Sequence, residues 1–230
     1  EAAFEALDSK GDNEKPQSKK MGTTMTCLKL HADGYTVAHM GDSRVYHFRP
    51  AETGEETKIV FVTHDHSLVN DLIAIGELTE EEAKYSKQKN VITRAMQPQM
   101  ERRPSPDIYT SADVKPDDYF MLCSDGMLEQ LDNNNLCFHF SHKMEGGAKE
   151  KANNLLDAIK DVTQDNHSAI IVHVLEIIEN TQAELQQEYR PGPVDEVSEE
   201  MQEEVKSEVD KETEMNIQAE EVKASLPDFP

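Results

Sequence analysis

The chain has 230 residues, an apolar fraction of 37% and a formal net charge of −23 at pH 7. This length is sufficient for one domain with a hydrophobic core and an appendage. The large negative charge argues against a nucleic acid or an anionic membrane as the partner, because such partners are bound by basic surfaces.

The first part of the chain is typical of a short helix followed by β-strands. Residues 1–7 resemble the last turns of a helix, and residues 8–20 are polar and predict a loop. Asp33-Gly34 separates two apolar runs and predicts a hairpin turn. Apolar runs predict four strands in this part of the chain, at residues 22–31, 35–40, 43–49 and 58–63.

Helical patterns begin after this group of strands. Apolar residues from Leu68 to Ile75 are spaced as one face of a helix, and Gly76 marks the end of that helix. Thr79 and Glu82 predict a capping box at the start of a second helix. Three further strands are predicted at 107–112, 118–124 and 168–175, and two further helices at 126–131 and 148–162. Because strands and helices are grouped without strict alternation, the predicted fold class is α+β.

The last fifth of the chain has a different composition. Residues 181–230 contain 15 acidic and 4 basic residues and therefore carry about half of the net negative charge of the chain. We therefore predict a folded domain over 1–177 and an acidic, disordered tail over 178–230. Valine and methionine at every fourth position leave a solvated helix between 195 and 215 open as an alternative.

The three cysteines, Cys27, Cys123 and Cys137, fit no disulfide framework. Cys27 and Cys123 lie in apolar runs and are predicted to be small buried hydrophobic residues. A reducing compartment fits this usage, and we expect a cytoplasmic protein. No apolar run has the length of a membrane span and no signal peptide is visible, although the chain begins with Glu1 and a preceding segment could carry a targeting signal.

Two acidic motifs lie at the ends of predicted strands. Asp125 follows one strand within Cys123-Ser124-Asp125-Gly126, and Asp165 precedes another. Strand ends that meet at one edge of a sheet can hold Mg²⁺ or Mn²⁺ between carboxylates, and such ions activate water for attack on phosphorus. The alternatives are a helix cap or Asp-Gly turn for Asp125 and an ordinary turn for Asp165.

Two other motifs have simpler interpretations. Asp65 follows a strand between His64 and His66, but alternate residues of a strand face opposite sides, which disfavours a zinc site of the three. Gly41-Asp42-Ser43-Arg44 is similar to the nucleophile motif of some serine esterases. The histidine and aspartate that such an enzyme requires are not present at the expected spacing, so a tight turn is the preferred interpretation. In this turn Asp42 and Ser43 would cap local amides and Arg44 would pair with a carboxylate.

Taken in order, these motifs resemble the metal-dependent protein phosphatases of type 2C (PPM-type), and their bacterial branch best. The resemblance covers residues 1–177. It rests on Met21-Gly22-Thr23-Thr24, Val37 to Tyr46 with Gly41-Asp42-Ser43-Arg44, Thr63-His64-Asp65-His66-Ser67, Gly76 to Ala83, Asn90 to Ala95, Leu122 to Gly126, and Asp165-Asn166.

The resemblance implies a four-layer αββα sandwich with two or three Mn²⁺ or Mg²⁺ ions between the sheets. A metal-bound hydroxide would attack phosphoserine or phosphothreonine of a phosphorylated protein, and a Ser/Thr kinase would be the usual partner. The position of Asp125 is similar to the ligand shared by the second and third metals, that of Asp165 to another second-metal ligand, and that of Asp65 to a third-metal ligand. The resemblance gives a structural role near the site to Gly126, Asn166, Gly41, Asp42 and Ser43.

The chain departs from the family pattern at its beginning. The first metal requires a motif of the kind Asp-Gly-Met-Gly-Gly, which does not occur in residues 1–20. We therefore expect an N-terminally incomplete domain that lacks strands, inactive by itself but derived from an active protein serine/threonine phosphatase. The alternatives are a catalytically dead pseudophosphatase that acts as a binding or regulatory module, and an acidic interaction protein whose tail is the functional part.

Overall fold

The computed structural model describes residues 2–10, 22–51, 56–83, 85–88, 90–178 and 188–190. The chain divides into two compact units. The described residues of the first unit fall within Glu1–Asp65 and Ala95–Pro193, and those of the second within His66–Arg94.

The described elements follow one another along the chain as five helices, eight strands and one 3₁₀ turn. They are α1 Ala2–Lys10, β1 Met25–His31, β2 Gly34–Met40, β3 Arg44–Arg49, β4 Lys58–Val62, α2 Leu68–Ala74, α3 Glu80–Ala83, β5 Asp107–Ser111, β6 Tyr119–Cys123, the 3₁₀ turn Asp125–Met127, α4 Asn133–Phe140, α5 Ala148–Ile159, β7 Ala169–His173 and β8 Glu188–Arg190.

Two four-stranded antiparallel sheets make up most of the first unit. The first sheet has the strand order β1-β2-β5-β8, and the second sheet has the order β4-β3-β6-β7. The predicted hairpin joins β1 to β2. Its Gly34 has φ +128°, and a Cβ atom there would lie 2.2 Å from the carbonyl oxygen of Ser111, so glycine is required.

The layers follow the order helix, sheet, sheet, helices. Residues of both sheets form the inner core, which contains Tyr35, Val37, Val45, Tyr109 and Phe120. The other face of the second sheet packs on α4 and α5 through a cluster that includes Phe48, Met121, Leu136, Phe140, Leu155 and Ile159. On the first sheet, Phe4 of α1 packs with Met40 and Met25. This arrangement agrees with the predicted α+β class and αββα layering.

The second unit contains two short helices. Ser67 caps α2 by accepting a hydrogen bond from the Asn70 amide, and Leu68 and Leu72 of this helix pack with Leu78. The predicted capping box is present at α3. The Thr79 amide donates to the Glu82 carboxylate at 2.8 Å, and the Glu82 amide donates to the Thr79 hydroxyl at 3.3 Å.

Helix positions differ from the predictions after residue 124. The helix predicted at 126–131 is a 3₁₀ turn over Asp125–Met127, and the helix predicted at 148–162 ends at Ile159. Helix α4 at Asn133–Phe140 was not predicted, because three successive asparagines have low helix propensity. Burial of Leu136 and Phe140 stabilises it, with Asp132 as its N-cap.

The prediction for one cysteine was wrong. Cys27 is exposed, whereas Cys123 is buried as predicted. Leu28 packs against the core between the sheets, and successive strand residues face opposite sides, so its neighbour Cys27 faces away from that core. Burial raises the pKa of the Cys123 thiol to about 12, which makes it a poor nucleophile.

Strand β8 lies within the range that was predicted to be disordered. Residues Glu188–Arg190 pair with β5, with Tyr189 opposite Tyr109. The other residues of the tail beyond 178, including the alternative helix at 195–215, lie outside the described residues, as does most of the predicted loop at 8–20. Within the described residues, no helix has the length and hydropathy needed to cross a bilayer.

Candidate metal centre

Four aspartates lie at one end of the second sheet, each at the end of a different strand. Because neighbouring strands run antiparallel, the ends of β4 and β6 meet the beginnings of β3 and β7. The aspartates lie two to four residues beyond the strands that they adjoin, so their loops form a row in the order of the strands. We call this row the acidic edge; in strand order it consists of Asp65, Asp42, Asp125 and Asp165.

Backbone contacts hold the Asp125 loop against the Asp165 loop. The Ser124 amide donates to the Ser168 carbonyl at 3.0 Å, and the Ser168 amide donates to the Ser124 hydroxyl at 3.0 Å. A Cβ atom on Gly126 would lie 2.5 Å from the Asn166 carbonyl oxygen, so only glycine permits this approach. The structure therefore brings Asp125 and Asp165 onto adjoining loops, and both residues are exposed.

Glu129 supports the same two loops and was not singled out from the sequence. Its carboxylate accepts hydrogen bonds from the Thr163 hydroxyl at 2.7 Å and the Gln164 amide at 3.0 Å. These bonds, the one from Thr163 first, lower the pKa of Glu129. The Thr163 hydroxyl also contacts the Gly126 carbonyl oxygen at 3.0 Å. No local sequence signal identifies Glu129, because its partners are 34 and 35 positions away.

Asp42 occupies a tightly fixed turn. Gly41 has φ +107°, and a Cβ atom there would lie 2.3 Å from Thr24 Cγ2. The hydroxyls of Thr24 and Ser43 are 2.8 Å apart. Burial first, and then the negative charges of Asp125 and Asp65, raise the pKa of Asp42.

Asp42 thus lies close to Asp125 and Asp65, and it is a fourth carboxylate of the acidic edge beside the three that the sequence resemblance makes metal ligands. The sequence prediction gave it a structural role together with Gly41 and Ser43. A signal was nevertheless present, since Asp42 lies two residues before β3, and Asp165 likewise precedes a strand, four residues before β7.

Arg44 and Asp65 form a bidentate ion pair. Arg44 Nε lies 2.6 Å from Asp65 Oδ1, and Nη2 lies 2.7 Å from Oδ2. Arg44 Nη1 donates to the Tyr46 hydroxyl at 3.0 Å. The hydrogen bonds to Asp65 raise the pKa of Arg44, so this guanidinium stays charged.

The two histidines beside Asp65 differ in environment. His64 is exposed, whereas His66 is buried and its Nε2 lies 3.1 Å from Arg94 Nη1. Among the residues that the structure describes, no three His, Cys, Asp or Glu side chains are arranged to hold a metal ion. The acidic edge offers oxygen donors alone, which suits Mg²⁺ or Mn²⁺, and its exposed Asp125 and Asp165 fit a cation that keeps several water ligands.

Sequence comparison finds bacterial phosphatases. The chain is 36% identical over 111 residues to protein phosphatase PhpP of Streptococcus pneumoniae, which covers 48% of this chain and 42% of that protein. It is 32% identical over 116 residues to serine/threonine protein phosphatase PstP of Mycobacterium tuberculosis, covering 50% and 21%. No family model matches the chain. The chain thus spans less than half the length of these curated relatives.

Structural comparison finds the same group of proteins. The serine/threonine phosphatase of Streptococcus agalactiae superposes with a TM-score of 0.61 at 29% identity, covering 76% of this chain and 69% of that one. The M. tuberculosis phosphatase PstP gives 0.57 at 26%, covering 76% and 67%. A PstP catalytic domain in complex with two manganese ions shares the fold, with a TM-score of 0.54 at 23% identity. These matches confirm the predicted resemblance to the bacterial type 2C phosphatases.

Proposed function

We propose that this chain, a homologue of the bacterial type 2C phosphatases, is part of a metal-dependent protein serine/threonine phosphatase. The observation that supports this most directly is the joining of the Asp125 and Asp165 loops at the acidic edge. Their oxygen donors suit a hard cation, and the chain resembles known serine/threonine phosphatases in sequence and fold.

The chemistry follows from the residues of the edge. A bound Mn²⁺ or Mg²⁺ supplies a water of lowered pKa and offsets charge on the phosphoryl oxygens of phosphoserine or phosphothreonine. Asp125 and Asp165 would hold the cation. Gly126, in contact with Asn166, fixes the spacing of the two loops. With few protein ligands, the cation would keep mostly water and bind weakly.

We also propose that the complete two-metal centre needs residues not contained in these 230. Residues 1–20 do not contain the first-metal motif Asp-Gly-Met-Gly-Gly. We therefore expect the chain by itself to be inactive and the complete gene product to be active in the cytoplasm, on phosphorylated proteins and in partnership with a Ser/Thr kinase.

The test is Mn²⁺-dependent hydrolysis of a phosphothreonine peptide by chain 1–230 and by the complete gene product. We expect turnover only from the complete product, and a loss of at least about 100-fold in kcat/KM when Asp125 is replaced by Asn, since a metal ligand is removed. Asp157→Asn is the matched control, because Asp157 is an exposed aspartate of α5 paired with Lys160. Equal losses in both variants, or robust turnover by chain 1–230, would contradict the proposal.

A binding module without catalysis is the second candidate. The observation in its favour is that the described residues hold no set of three metal-ligating side chains. If the complete gene product binds the phosphothreonine peptide but shows no turnover with Mn²⁺ or Mg²⁺, the pseudophosphatase interpretation replaces the enzyme.

A further inference from the structure

We infer that Asp65 is the counter-ion of Arg44 and not a metal ligand. This inference rests on the proposed function. It changes the role that the sequence resemblance gives to Asp65.

The geometry of the pair leaves little of Asp65 for a cation. Each of its two oxygens accepts a hydrogen bond from a different nitrogen of Arg44, at 2.6 and 2.7 Å. The side chain of Asp65 is 16% exposed and that of Arg44 is 33% exposed. A planar guanidinium matches a carboxylate in this bidentate manner, and such pairs are among the stronger hydrogen-bonded contacts in proteins. A cation bound to Asp65 would have to displace these two hydrogen bonds from Arg44.

Further contacts fix Arg44 itself. Its third nitrogen, Nη1, donates to the hydroxyl of Tyr46, which is fully buried in the core of the second sheet. Arg44 is also the first residue of β3 and pairs with Cys123 in the β3–β6 ladder. Hydrogen bonds from all three of its nitrogens therefore fix the position of the guanidinium.

The strand order gives this pair an electrostatic effect. Asp65 lies at the outer end of the row, and Asp42 lies between it and Asp125. Four neighbouring carboxylates repel one another. A permanently charged guanidinium bound to the outer one offsets its charge and so reduces this repulsion.

The test is Mn²⁺ binding to chain 1–230, measured by calorimetry and by the electron paramagnetic resonance of free Mn²⁺. The variants are Asp65→Asn, Arg44→Met, the double variant with both changes, Asp125→Asn and the control Asp157→Asn. We expect Asp65→Asn to weaken binding, because the positive charge of Arg44 is then no longer offset. We expect Arg44→Met to strengthen binding, because the negative charge of Asp65 is then no longer offset. The double variant distinguishes a counter-ion from a metal ligand, because it removes both charges at once. We expect its Kd for Mn²⁺ to be within about threefold of that of the unsubstituted chain.

A double variant that binds Mn²⁺ about tenfold or more weakly than the unsubstituted chain would overturn the inference, because a lost ligand is not restored by removing Arg44. Arg44→Gln combined with Asp65→Asn is a second neutral pair that retains hydrogen bonding, for use if the Met variant does not fold. If the unsubstituted chain and Asp125→Asn bind Mn²⁺ equally, the proposed metal site and this inference both fail. If Asp125→Asn weakens binding as expected but the double variant also binds Mn²⁺ more weakly, only the role inferred for Asp65 is overturned.

Discussion

Asp118 shows how a fully buried carboxylate remains charged in this fold. Its oxygens accept hydrogen bonds from His47 at 2.8 Å, from two nitrogens of Arg49 at 2.9 and 2.8 Å, and from the Lys115 amide at 2.7 Å. Burial raises the pKa of Asp118, but the hydrogen bonds from His47 and Arg49 outweigh it and the pKa is lowered overall. Tyr35, from the first sheet, lies 3.0 Å from the other nitrogen of His47, so this network joins the two sheets.

Replacing Asp118 by Asn should destabilise the chain by about 3–5 kcal/mol, because it breaks a buried ion pair and leaves Arg49 without its main partner. The free energy of unfolding in urea at pH 7 measures this change. Asp113→Asn is the control, since Asp113 contacts the same arginine but is 53% exposed, and its loss should cost less than about 1 kcal/mol. Equal costs for the two variants would show that the buried network is unimportant.

The lowered pKa of Asp118 also predicts the effect of acid. A carboxylate whose pKa is depressed in the folded state stabilises the fold above its unfolded pKa of about 3.9, and this stabilisation is lost as the pH falls through the folded pKa. The free energy of unfolding should therefore decrease below about pH 4. In Asp118→Asn the decrease should be shallower, and an unchanged slope would contradict the assignment of this pKa.

At the scale of elements, the contact between the Asp125 and Asp165 loops depends on Gly126. Gly126→Ala places a methyl group 2.5 Å from the Asn166 carbonyl oxygen, so one loop must move. We expect a loss of about 1–3 kcal/mol in stability, together with Mn²⁺ affinity weakened by about tenfold. Gly22→Ala is the matched control, because a Cβ atom there would meet no atom closer than 3.5 Å. Unchanged Mn²⁺ binding in Gly126→Ala would show that the proposed metal site does not depend on this contact.

Elements with local signals were predictable from the sequence. The hairpin at Asp33-Gly34 and the capping box at Thr79 and Glu82 each depend on residues a few positions apart. Helix α4 was not predictable in this way, because its stability comes from Leu136 and Phe140 packing on distant parts of the chain.

The same distinction applies to the candidate site. Asp125 and Asp165 were predicted from strand-end motifs, whereas the environment of Asp42 depends on which strands are neighbours in the sheet. The pairing of Asp65 with Arg44, 21 positions away, likewise depends on the alignment of β3 with β4. Strand order is a property of the whole sheet, and no single segment encodes it.

At the scale of the whole molecule, the net charge of −23 disfavours the compact state through repulsion between like charges. Raising NaCl from about 20 mM to about 300 mM shortens the screening length severalfold and should raise the Tm of the chain. Asp125→Asn should show the same trend, since this effect does not depend on the metal site. A Tm that falls with added salt would mean that attractive ion pairs, rather than repulsion, dominate the electrostatics.

The acidic edge also has a consequence for the order in which the protein is made. Its four aspartates belong to strands spread from β3 at Arg44–Arg49 to β7 at Ala169–His173, and β7 is the last strand of its sheet to leave the ribosome. A nascent chain that ends before residue 165 has three of the aspartates but lacks the loop that adjoins Asp125. Metal binding at the proposed site would thus be a late event of biosynthesis: the ion would stabilise a sheet that has already assembled, but it would not guide the pairing of the strands synthesised first.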